Sequence, residues 1–513
     1  MNIWQDILTT ALVGTERKTL TPIPPTNQLS QLLSQLNYRD PEGTLLSAAA
    51  IISLYQKAEQ ISVIDNQTLP TPSQNCDLSI CSPLAAEYLK VIFLKERLLL
   101  LSEWLTTAAA AKKQVPAYSL PELLELGRTS PHLRLAIMPV LGKRGRWLAA
   151  QNPQWDYVVG EDIEITWQTG SNAARQLLFQ QIRTENPAAA REKLIKIWAE
   201  EKSEEKLGFL QISPTGLNKD DEPFLEAALD DKSPEVRQKA AELLAHLPES
   251  RLCQRMATRV TSALIIKQNR HRLHLDFNLS HGSDEGMLRD GIDSKNSPKL
   301  LGKKAWQILQ IVAATPLSLW SQINDISPIE WIQAAKRSEW DRTLVDGWVV
   351  AALRQKNPEW AEVLLSMHHN FNGYLVNHNQ SIQGLINALP PQRQDTFFIK
   401  FLQENKTIFD TQNSAFSLLR HYRYPWSHEF TMALIDTLAY HLKRTTNPYD
   451  WTLRSAFQDF ACYIPLSLVP VISVIIPKIV PKNASWASFW IEAIDDFMAL
   501  LNFRVEMMKE LRY

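Results

Sequence analysis

The chain has 513 residues, of which 45% are hydrophobic and 21% are charged, and this globular composition supplies ample material for a buried core. A formal net charge of −1 excludes attraction of the whole chain to nucleic acid or to an anionic membrane, so such binding would need a local patch. The chain contains few glycines (16) and many prolines (29), which favours helices punctuated by prolines over sheets with tight turns.

The predicted elements of residues 1–128 form an N-terminal helical region. Segment 64–83 is rich in Pro, Ser, Thr and Asn, which is typical of a loop. Residues 1–6 lack a basic stretch followed by an apolar run, so we expect no signal peptide. The helices of this region are predicted at residues 2–13, 27–36, 42–60, 84–111 and 120–127.

One helix-start pattern recurs along the chain. A Ser or Asn side chain can accept hydrogen bonds from free backbone N–H groups, and a following Pro fits the first helical turn because it has no N–H. The repeated use of this pattern predicts stacked helical hairpins of irregular length. It occurs as Ser-Pro at Ser130 and Ser233 and as Asn-Pro at Asn152, Asn186, Asn357 and Asn447.

The clearest hairpin is predicted at residues 222–250. Val236, Ala240, Leu243 and Leu244 share one helical face after a turn at 230–233. The run from Leu229 to Arg237, followed by Ala-Ala and Leu-Leu, resembles the second half of a HEAT repeat. In that family the residues matching Asp231 and Arg237 tie adjacent hairpins together. The structural motif assigned here is Asp231, Ser233, Pro234 and Arg237.

A non-helical insertion is predicted after residues 129–271, which we assign to HEAT-like hairpins. Leu273, Leu275, Phe277 and Leu279 alternate with polar residues, which is strand spacing, and 280–299 is polar and loop-like. Helices resume at 300–314 and end with one at 485–512. The most apolar stretch, 464–480, is broken by prolines and too short to span a membrane, so we expect it to be buried.

The sequence therefore predicts an all-α fold of HEAT-like stacked hairpins, an α-solenoid-like array with a small β or extended insertion near residues 272–299. We expect the protein to be cytoplasmic, with reduced thiols at its four cysteines. The predicted regions are 1–128, 129–271, 272–299 and 300–513.

Four stretches together resemble an uncharacterised bacterial family of unknown function. The family is associated with gene neighbourhoods that encode a SWIM zinc-finger protein, a MoxR-type AAA ATPase and a von Willebrand A-domain protein. The resemblance implies a partner role in an ATPase-linked assembly, with no catalytic constellation attached to these motifs. The stretches are residues 11–17, 146–153, 221–226 and 289–292.

Motifs for common chemistry are missing from the sequence. It contains no phosphate-binding loop, no dinucleotide fingerprint and no Gly-x-Ser-x-Gly elbow, so we predict neither a cofactor nor catalytic residues. Histidines occur in two groups without metal-ligand spacing, and locally hydrogen-bonded or surface histidines are the expectation. The groups are His271, His274 and His281, and His368, His369 and His378.

Two basic stretches are the candidate binding surface. Arg251, Arg255 and Arg259 are spaced four apart and share one face if helical. Guanidinium groups beside an aromatic ring can bind phosphates or acidic protein surfaces. The plainer interpretation is a solvated helix face balanced by nearby acids such as Glu242 and Glu249. The remaining candidate residues are Lys267, Arg270, Arg272, Lys143, Arg144, Arg146 and Trp147.

Acidic pairs at 220–222 and 230–231 are interpreted as helix-start and turn residues, and most of the 16 tryptophans as core residues. We predict a non-enzymatic scaffold or adaptor that binds protein partners, among them an AAA ATPase or a von Willebrand A-domain protein. One alternative is a HEAT-like nucleic-acid-binding or nucleic-acid-processing protein with a basic concave face. The other is an enzyme without a recognisable motif.

Overall fold

A computed structural model of the chain describes residues 3–59, 70–73, 78–94, 98–158, 163–269, 272–278, 285–293, 297, 301–367, 375, 378–405, 407–410, 414–423, 425–445, 448–480 and 484–512. The chain divides into two compact units, Met1–Pro72 and Ser73–Tyr513. The smaller unit has a core cluster of its own, and the larger unit has two.

The smaller unit is built from the helices α1 (Ile3–Val13), α2 (Gln28–Ser34) and α3 (Pro41–Glu59). Helix α2 begins after Asn27, whose side chain accepts a hydrogen bond from the Ser30 N–H, while the Ser30 hydroxyl accepts one from the Asn27 N–H. This reciprocal cap satisfies backbone donors that a helix start otherwise leaves free. The core of the unit consists of Ile7, Leu33, Ala48 and Ile52.

The larger unit is helical up to residue 263, apart from two short strands. Strands β1 (Ser79–Ile80) and β2 (Lys113–Gln114) pair in parallel, which the sequence pattern did not predict. The helices are α4 (Pro83–Leu94), α5 (Leu98–Ala110), α6 (Leu120–Thr129), α7 (Arg134–Ile137), α8 (Gly142–Ala150), α9 (Ile163–Thr169), α10 (Asn172–Glu185), α11 (Pro187–Ile197), α12 (Ser203–Ile212), α13 (Glu222–Ala228), α14 (Pro234–Leu244) and α15 (Arg251–Ala263).

Helix packing here follows the pattern of stacked hairpins. Helix α10 contacts α11, its partner in one hairpin, and also α12, while α12 contacts α14 and α14 contacts its own partner α13. Contacts between every second helix are what a repeat array makes when each hairpin buries an apolar face against the next. The predicted all-α, helical-repeat architecture is confirmed.

The hairpin of α13 and α14 contains the predicted motif. The Ser233 N–H donates to Asp231 Oδ1 at 2.9 Å, and Pro234 occupies the first turn of α14. Arg237 Nη1 donates to the Asp231 carbonyl oxygen at 2.8 Å and therefore fastens the turn of its own hairpin. Asp231 Oδ2 pairs with Lys206 Nζ at 2.9 Å. Since Lys206 belongs to α12, the carboxylate of Asp231 joins this hairpin to the preceding helix.

The predicted Ser and Asn caps have different outcomes. Asn186 and Asn357 each accept hydrogen bonds from the first turn of a helix, α11 in the case of Asn186. Asn152 caps only a 3-10 turn. The expected cap at Ser130 was wrong: its side chain makes no capping hydrogen bond, and the next three residues form a 3-10 turn. Its ψ of 80° differs from the extended values, between 124° and 157°, of the Ser residues that cap α10, α14 and α15. Asn447 lies outside the described residues.

A β-hairpin follows α15 directly. Strand β4 (Arg272–Phe277) confirms the predicted alternation as far as Phe277, with Leu275 and Phe277 buried, and Leu279 lies outside the described residues. The strand pairs in antiparallel register with β3 (Leu264–Asn269). Strand β3 was not predicted, because its apolar residues continue those of α15. The expectation of a wholly loop-like 280–299 was wrong in part, since the five-residue helix α16 (Glu285–Arg289) lies there.

The rest of the larger unit is again helical. Its core continues from Leu210 to Leu501 and includes Leu275 and Phe277 of the β-hairpin. The helices are α17 (Lys303–Ala314), α18 (Leu317–Gln322), α19 (Pro328–Ala335), α20 (Asp341–Gln355), α21 (Pro358–Ser366), α22 (Asn379–Ala388), α23 (Pro391–Glu404), α24 (Ser414–Arg420), α25 (His428–Leu442), α26 (Trp451–Phe460), α27 (Val469–Ile475) and α28 (Ala487–Arg512).

Tryptophans fill much of this core. Trp331 Nε1 donates to the Trp320 carbonyl oxygen at 2.8 Å, and the two rings meet edge to face with centroids 5.0 Å apart. The ring of Trp348 lies 5.2 Å from that of Trp360. Such contacts add to the free energy gained from burying the rings. In the described part of the chain, no helix is both long and apolar enough to cross a membrane. The fully buried tryptophans are Trp104, Trp320, Trp331, Trp348, Trp360 and Trp490.

Candidate functional site

The three arginines predicted to share a helical face all lie on α15, and all three form ion pairs with acidic side chains. Arg251 Nε donates to Glu222 Oε1 at 3.2 Å. Arg255 Nη2 donates to Glu226 Oε1 at 3.1 Å and to Asp290 Oδ1 at 2.6 Å. Arg259 Nη1 donates to the other oxygen of Asp290, also at 2.6 Å. The guanidinium groups of Arg255 and Arg259 therefore serve internal contacts, whereas the side chain of Arg251 is 59% exposed.

The acidic residues that neutralise the arginines of α15 are not the ones expected from the sequence. Glu242 pairs with Lys239 at 3.0 Å, and Glu249 pairs with Lys219 at 3.6 Å, so neither is bonded to the arginines of α15. Carboxylates from α13 and from the turn after α16 take that role. They reach α15 from 29 to 35 residues away in the chain, a separation that no local spacing rule covers.

Two stretches that carry the family resemblance meet around α15. Segment 221–226 supplies Glu222 and Glu226, and segment 289–292 supplies Asp290, whose side chain is 2% exposed. Gly291 follows with a φ of +78°, and a Cβ atom there would lie 2.8 Å from the Ala241 Cβ. A glycine fits this turn because it adopts positive φ without strain and lets the backbone approach α14 closely. The sequence patterns predicted a helix start at the first of these stretches, but they did not predict that the two stretches meet.

The acidic residues at 220–222 and 230–231 form ion pairs with basic side chains, in addition to the helix-start and turn roles expected for them. Asp221 is buried and pairs with Arg183 Nη1 at 2.9 Å, while the Arg183 Nη2 also donates to the Ser213 carbonyl oxygen. Asp230 pairs with Arg289 Nε at 2.7 Å. A buried ion pair of this kind is stable only when additional hydrogen bonds satisfy both partners, as they do here.

The other candidate residues lie elsewhere. Lys267 is exposed on β3, opposite His274 of β4. Residue 270 and the side chain of residue 272 lie outside the described part. Lys143, Arg144, Arg146 and Trp147 are on α8, which packs against the core cluster of the first helices through Leu148 and Ala149, whereas α15 packs in the cluster of the later ones. Arg144 is exposed, and the other three are half-buried.

The two predicted histidine groups are mostly outside the described residues. His274 and His378 are both exposed. Within the described ranges, no group of three or more His, Cys, Asp or Glu side chains is placed to hold a metal ion. His271, His281, His368 and His369 are not described.

A cavity of about 420 Å³ lies beside α15, and no sequence pattern predicted it. The turn containing Asp290 and Gly291 forms part of its wall, so the ion pairs of Asp290 also fix one side of the cavity. Helices α14, α15, α17 and α20 provide most of the remaining lining, and Leu301 and Leu375 complete it. The apolar lining includes Leu252, Met256, Ile292, Leu309, Ala313 and Val350.

Charged groups of α20 line the same cavity. The Asp346 Oδ1 accepts the Leu375 N–H at 2.7 Å, and Oδ2 lies 3.5 Å from Arg342 Nε. Burial raises the pKa of the Asp346 carboxyl in spite of these two partners. Arg354 Nη1 donates to the Ala313 carbonyl oxygen at 3.2 Å, and burial lowers the pKa of its guanidinium. Burial also lowers the pKa of nearby His246 to about 4, to which the charge of Arg354 contributes.

An exposed aromatic patch lies on the last helices. Trp451 is 68% exposed and Tyr449 is 52% exposed, and both rings contact Phe489 edge to face. The Arg454 guanidinium stacks on Trp451 at 5.2 Å and pairs with two exposed acids of α28. We call this patch the aromatic–acidic surface; it consists of Tyr449, Trp451, Phe489, Glu492, Asp495 and Asp496.

Comparison with known proteins identifies the family. No curated protein and no solved structure matches this chain. One family model covers all four stretches on which the resemblance rests, and this confirms the resemblance to an uncharacterised family of unknown function. That model, described as a family of unknown function (DUF5691), matches residues 6–511, so the chain belongs to this family.

Proposed function

We propose that this chain is a non-enzymatic scaffold or adaptor that binds protein partners, and that the aromatic–acidic surface is one docking site. The observation that carries the proposal is the 68% exposure of Trp451. This ring is kept at the surface by contacts with Phe489 and Arg454. Exposed, rigidly held Trp and Tyr side chains are typical anchors of protein interfaces, because they bury a large area at a small entropic cost.

Charge indicates what kind of partner would fit. The surface carries the carboxylates of Glu492, Asp495 and Asp496, and Arg454 neutralises only one of these three charges. Its excess negative charge would repel nucleic-acid phosphates and attract lysine or arginine side chains. We therefore propose a protein segment with basic residues around an apolar anchor as the occupant.

Nucleic-acid binding is the alternative, and the described contacts favour it less. Arg255 and Arg259 already pair with Asp290, whose side chain is 2% exposed, so a phosphate would compete with a buried carboxylate for these two guanidinium groups. That exchange is costly because it takes partners away from the buried carboxylate of Asp290. The cluster on α8 keeps the alternative testable, because Arg144 is exposed.

The setting proposed for this role is the cytoplasm of a bacterium, in an assembly linked to an AAA ATPase. The family resemblance supports this setting through its association with genes for a MoxR-type ATPase and a von Willebrand A-domain protein. A helical repeat array suits such a role because its extended surface can hold several partners without chemistry of its own.

Affinity capture with matched variants tests the proposal. The full chain and the variants Trp451→Ala, Asp495→Lys and Tyr118→Ala are used to capture partners from cells that produce the protein. The captured proteins are quantified by mass spectrometry. Tyr118 is 69% exposed and lies outside the surface, so its variant is the control. We expect at least one protein to be lost about tenfold or more with Trp451→Ala and with Asp495→Lys but retained with Tyr118→Ala.

Equal capture by the full chain and all variants would show that the aromatic–acidic surface is not a docking site. The identity of any selectively lost protein tests the ATPase-linked setting. A band shift of DNA or RNA at low salt, where phosphate attraction is strongest, that disappears with Arg144→Ala would instead favour the nucleic-acid alternative.

A further inference from the structure

The cavity beside α15 is too large to be an ordinary packing gap between helices. Packed helices leave few gaps larger than a water molecule, whereas this partly open cavity measures about 420 Å³. Its volume falls in the range of about 300–1,000 Å³ that small-molecule sites occupy. Apolar side chains from two sides, Leu252 and Met256 on α15 and Leu309 and Val350 on α17 and α20, face this space.

Each carboxylate of the lining already has a cation of its own. Asp290 receives Arg255 and Arg259, Asp346 pairs with Arg342, and Glu242 pairs with Lys239. None of these three carboxylates therefore needs a cationic ligand to balance its charge. This distribution argues against a positively charged occupant.

Arg354 is different from the other cations of the lining. Within the described residues, no carboxylate lies within 4.0 Å of its guanidinium, and Glu242 acts on it only from a longer distance. Its guanidinium donates through Nη1 to the Ala313 carbonyl oxygen, and the planar group has further N–H donors. An arginine stays protonated in proteins, so Arg354 presents a positive charge that no carboxylate of the described residues balances at ion-pair distance.

A second donor lines the same cavity. The indole N–H of Trp306 is buried and has no hydrogen-bond partner in the described part of the chain. Leaving such a group without a partner costs free energy, unless a bound molecule or water supplies the acceptor. The guanidinium of Arg354 and the indole N–H of Trp306 are thus hydrogen-bond donors that can accommodate a further acceptor. An anion with acceptor oxygens would supply it.

We propose that this cavity binds a small organic carboxylate with an apolar body. The carboxylate pairs with the Arg354 guanidinium, and the apolar body lies against Leu252, Met256 and Val350. The site is separate from the aromatic–acidic surface and does not depend on the proposed scaffold role. A ligand here would contact the turn of Asp290 and Gly291 and so stabilise the larger unit.

Calorimetric titration of the full chain with decanoate, decanol and decyltrimethylammonium tests the charge and the shape together. We expect decanoate to bind at least about tenfold more tightly than decanol, because a charge-assisted pair with Arg354 is added to the same apolar contact. Decyltrimethylammonium should not bind. Equal affinity for decanoate and decanol, or tighter binding of the cation, would overturn the proposal.

Three variants locate the site. Arg354→Met should weaken decanoate about tenfold while leaving decanol nearly unchanged. Arg337→Met, an exposed arginine after α19, is the matched control and should change neither. Val350→Trp should remove binding of both probes by filling the cavity. Urea denaturation confirms that each variant folds; if Arg354→Met does not, the comparison of the three probes and Val350→Trp decide. Decanoate binding that survives Val350→Trp would contradict the assignment.

Discussion

Asp290, in the turn after α16, accepts a hydrogen bond at 2.6 Å from Arg259 of α15, 31 residues earlier in the chain. Its second oxygen accepts one from Arg255 at the same distance. One buried carboxylate therefore pairs with two guanidinium groups on successive turns of a helix. The next residue, Gly291, brings the backbone of this turn close to α14. This cluster forms one side of the cavity, so its stability bears on any ligand bound there.

Removal of the Asp290 charge should destabilise the larger unit. In Asp290→Asn the two guanidinium groups keep their charges but lose the carboxylate between them. Because Arg255 and Arg259 are partly exposed to water, we expect a loss of about 2 kcal/mol rather than the larger value of a fully buried pair. Urea denaturation measures it. The control Glu404→Gln disrupts an exposed pair with Lys400 and should change the free energy of unfolding by less than about 0.5 kcal/mol. A loss of unfolding free energy no larger than that of the control would show that Asp290 does not stabilise the larger unit through Arg255 and Arg259.

Gly291 should tolerate no side chain. Gly291→Ala places a Cβ atom 2.8 Å from the Ala241 Cβ in a backbone with φ of +78°. We expect it to lower the free energy of unfolding by about 1–3 kcal/mol through strain and crowding. Gly302→Ala is the control, because the added Cβ meets nothing within 4 Å and φ there is −64°. Equal stability of the two variants in denaturant titrations would show that the turn is not constrained as described.

Neighbouring aspartates should respond differently to the same change. Asp221 is buried in a pair with Arg183, whereas the side chain of Asp220 is 77% exposed and 3.8 Å from Arg191. Asp221→Asn should cost about 3 kcal/mol, since it leaves the buried guanidinium of Arg183 without its anion. Asp220→Asn should cost less than about 0.5 kcal/mol. The difference between their unfolding free energies is the decisive quantity, and a value near zero would contradict the burial of this pair.

Stability should fall in mild acid because of His246. Burial lowers the pKa of this imidazole to about 4, below its ordinary value, so the unfolded chain binds a proton at a higher pH than the folded chain does. Stability from this group is present above the unfolded pKa and is lost as pH falls towards the folded one. The loss between pH 7 and pH 5 should be about 2 kcal/mol. His246→Phe should reduce that pH dependence in urea titrations; an unchanged slope would rule out His246 as its source.

Local patterns predicted much of the fold because they act over a few residues. The helical face from Val236 to Leu244, the cap at Ser233 and the alternation in β4 depend on periodicity and on backbone donors nearby, and all three appear in the structure. Ser130 shows the limit of such rules. It has the same Ser-Pro pattern as Ser233, yet its backbone ψ of 80° replaces the extended cap geometry and no capping bond forms.

The candidate site was less accessible to sequence reasoning. The spacing of the α15 arginines placed them correctly on one face, but their partners Glu222, Glu226 and Asp290 come from two other segments. The cavity gave no signal at all, since Arg354 and Asp346 of α20 meet the α15 wall only through tertiary packing.

By itself the sequence determined the all-α class, the hairpin at 222–250, the strand after residue 272 and the family, because periodicity, capping chemistry and short motifs are local properties. Tertiary structure decided which tryptophans are buried and that Trp451 is exposed, which acids neutralise α15, and where a cavity remains. The physical reason is that burial and ion pairing depend on distances between segments far apart in the chain, and the folded packing of helices alone sets those distances.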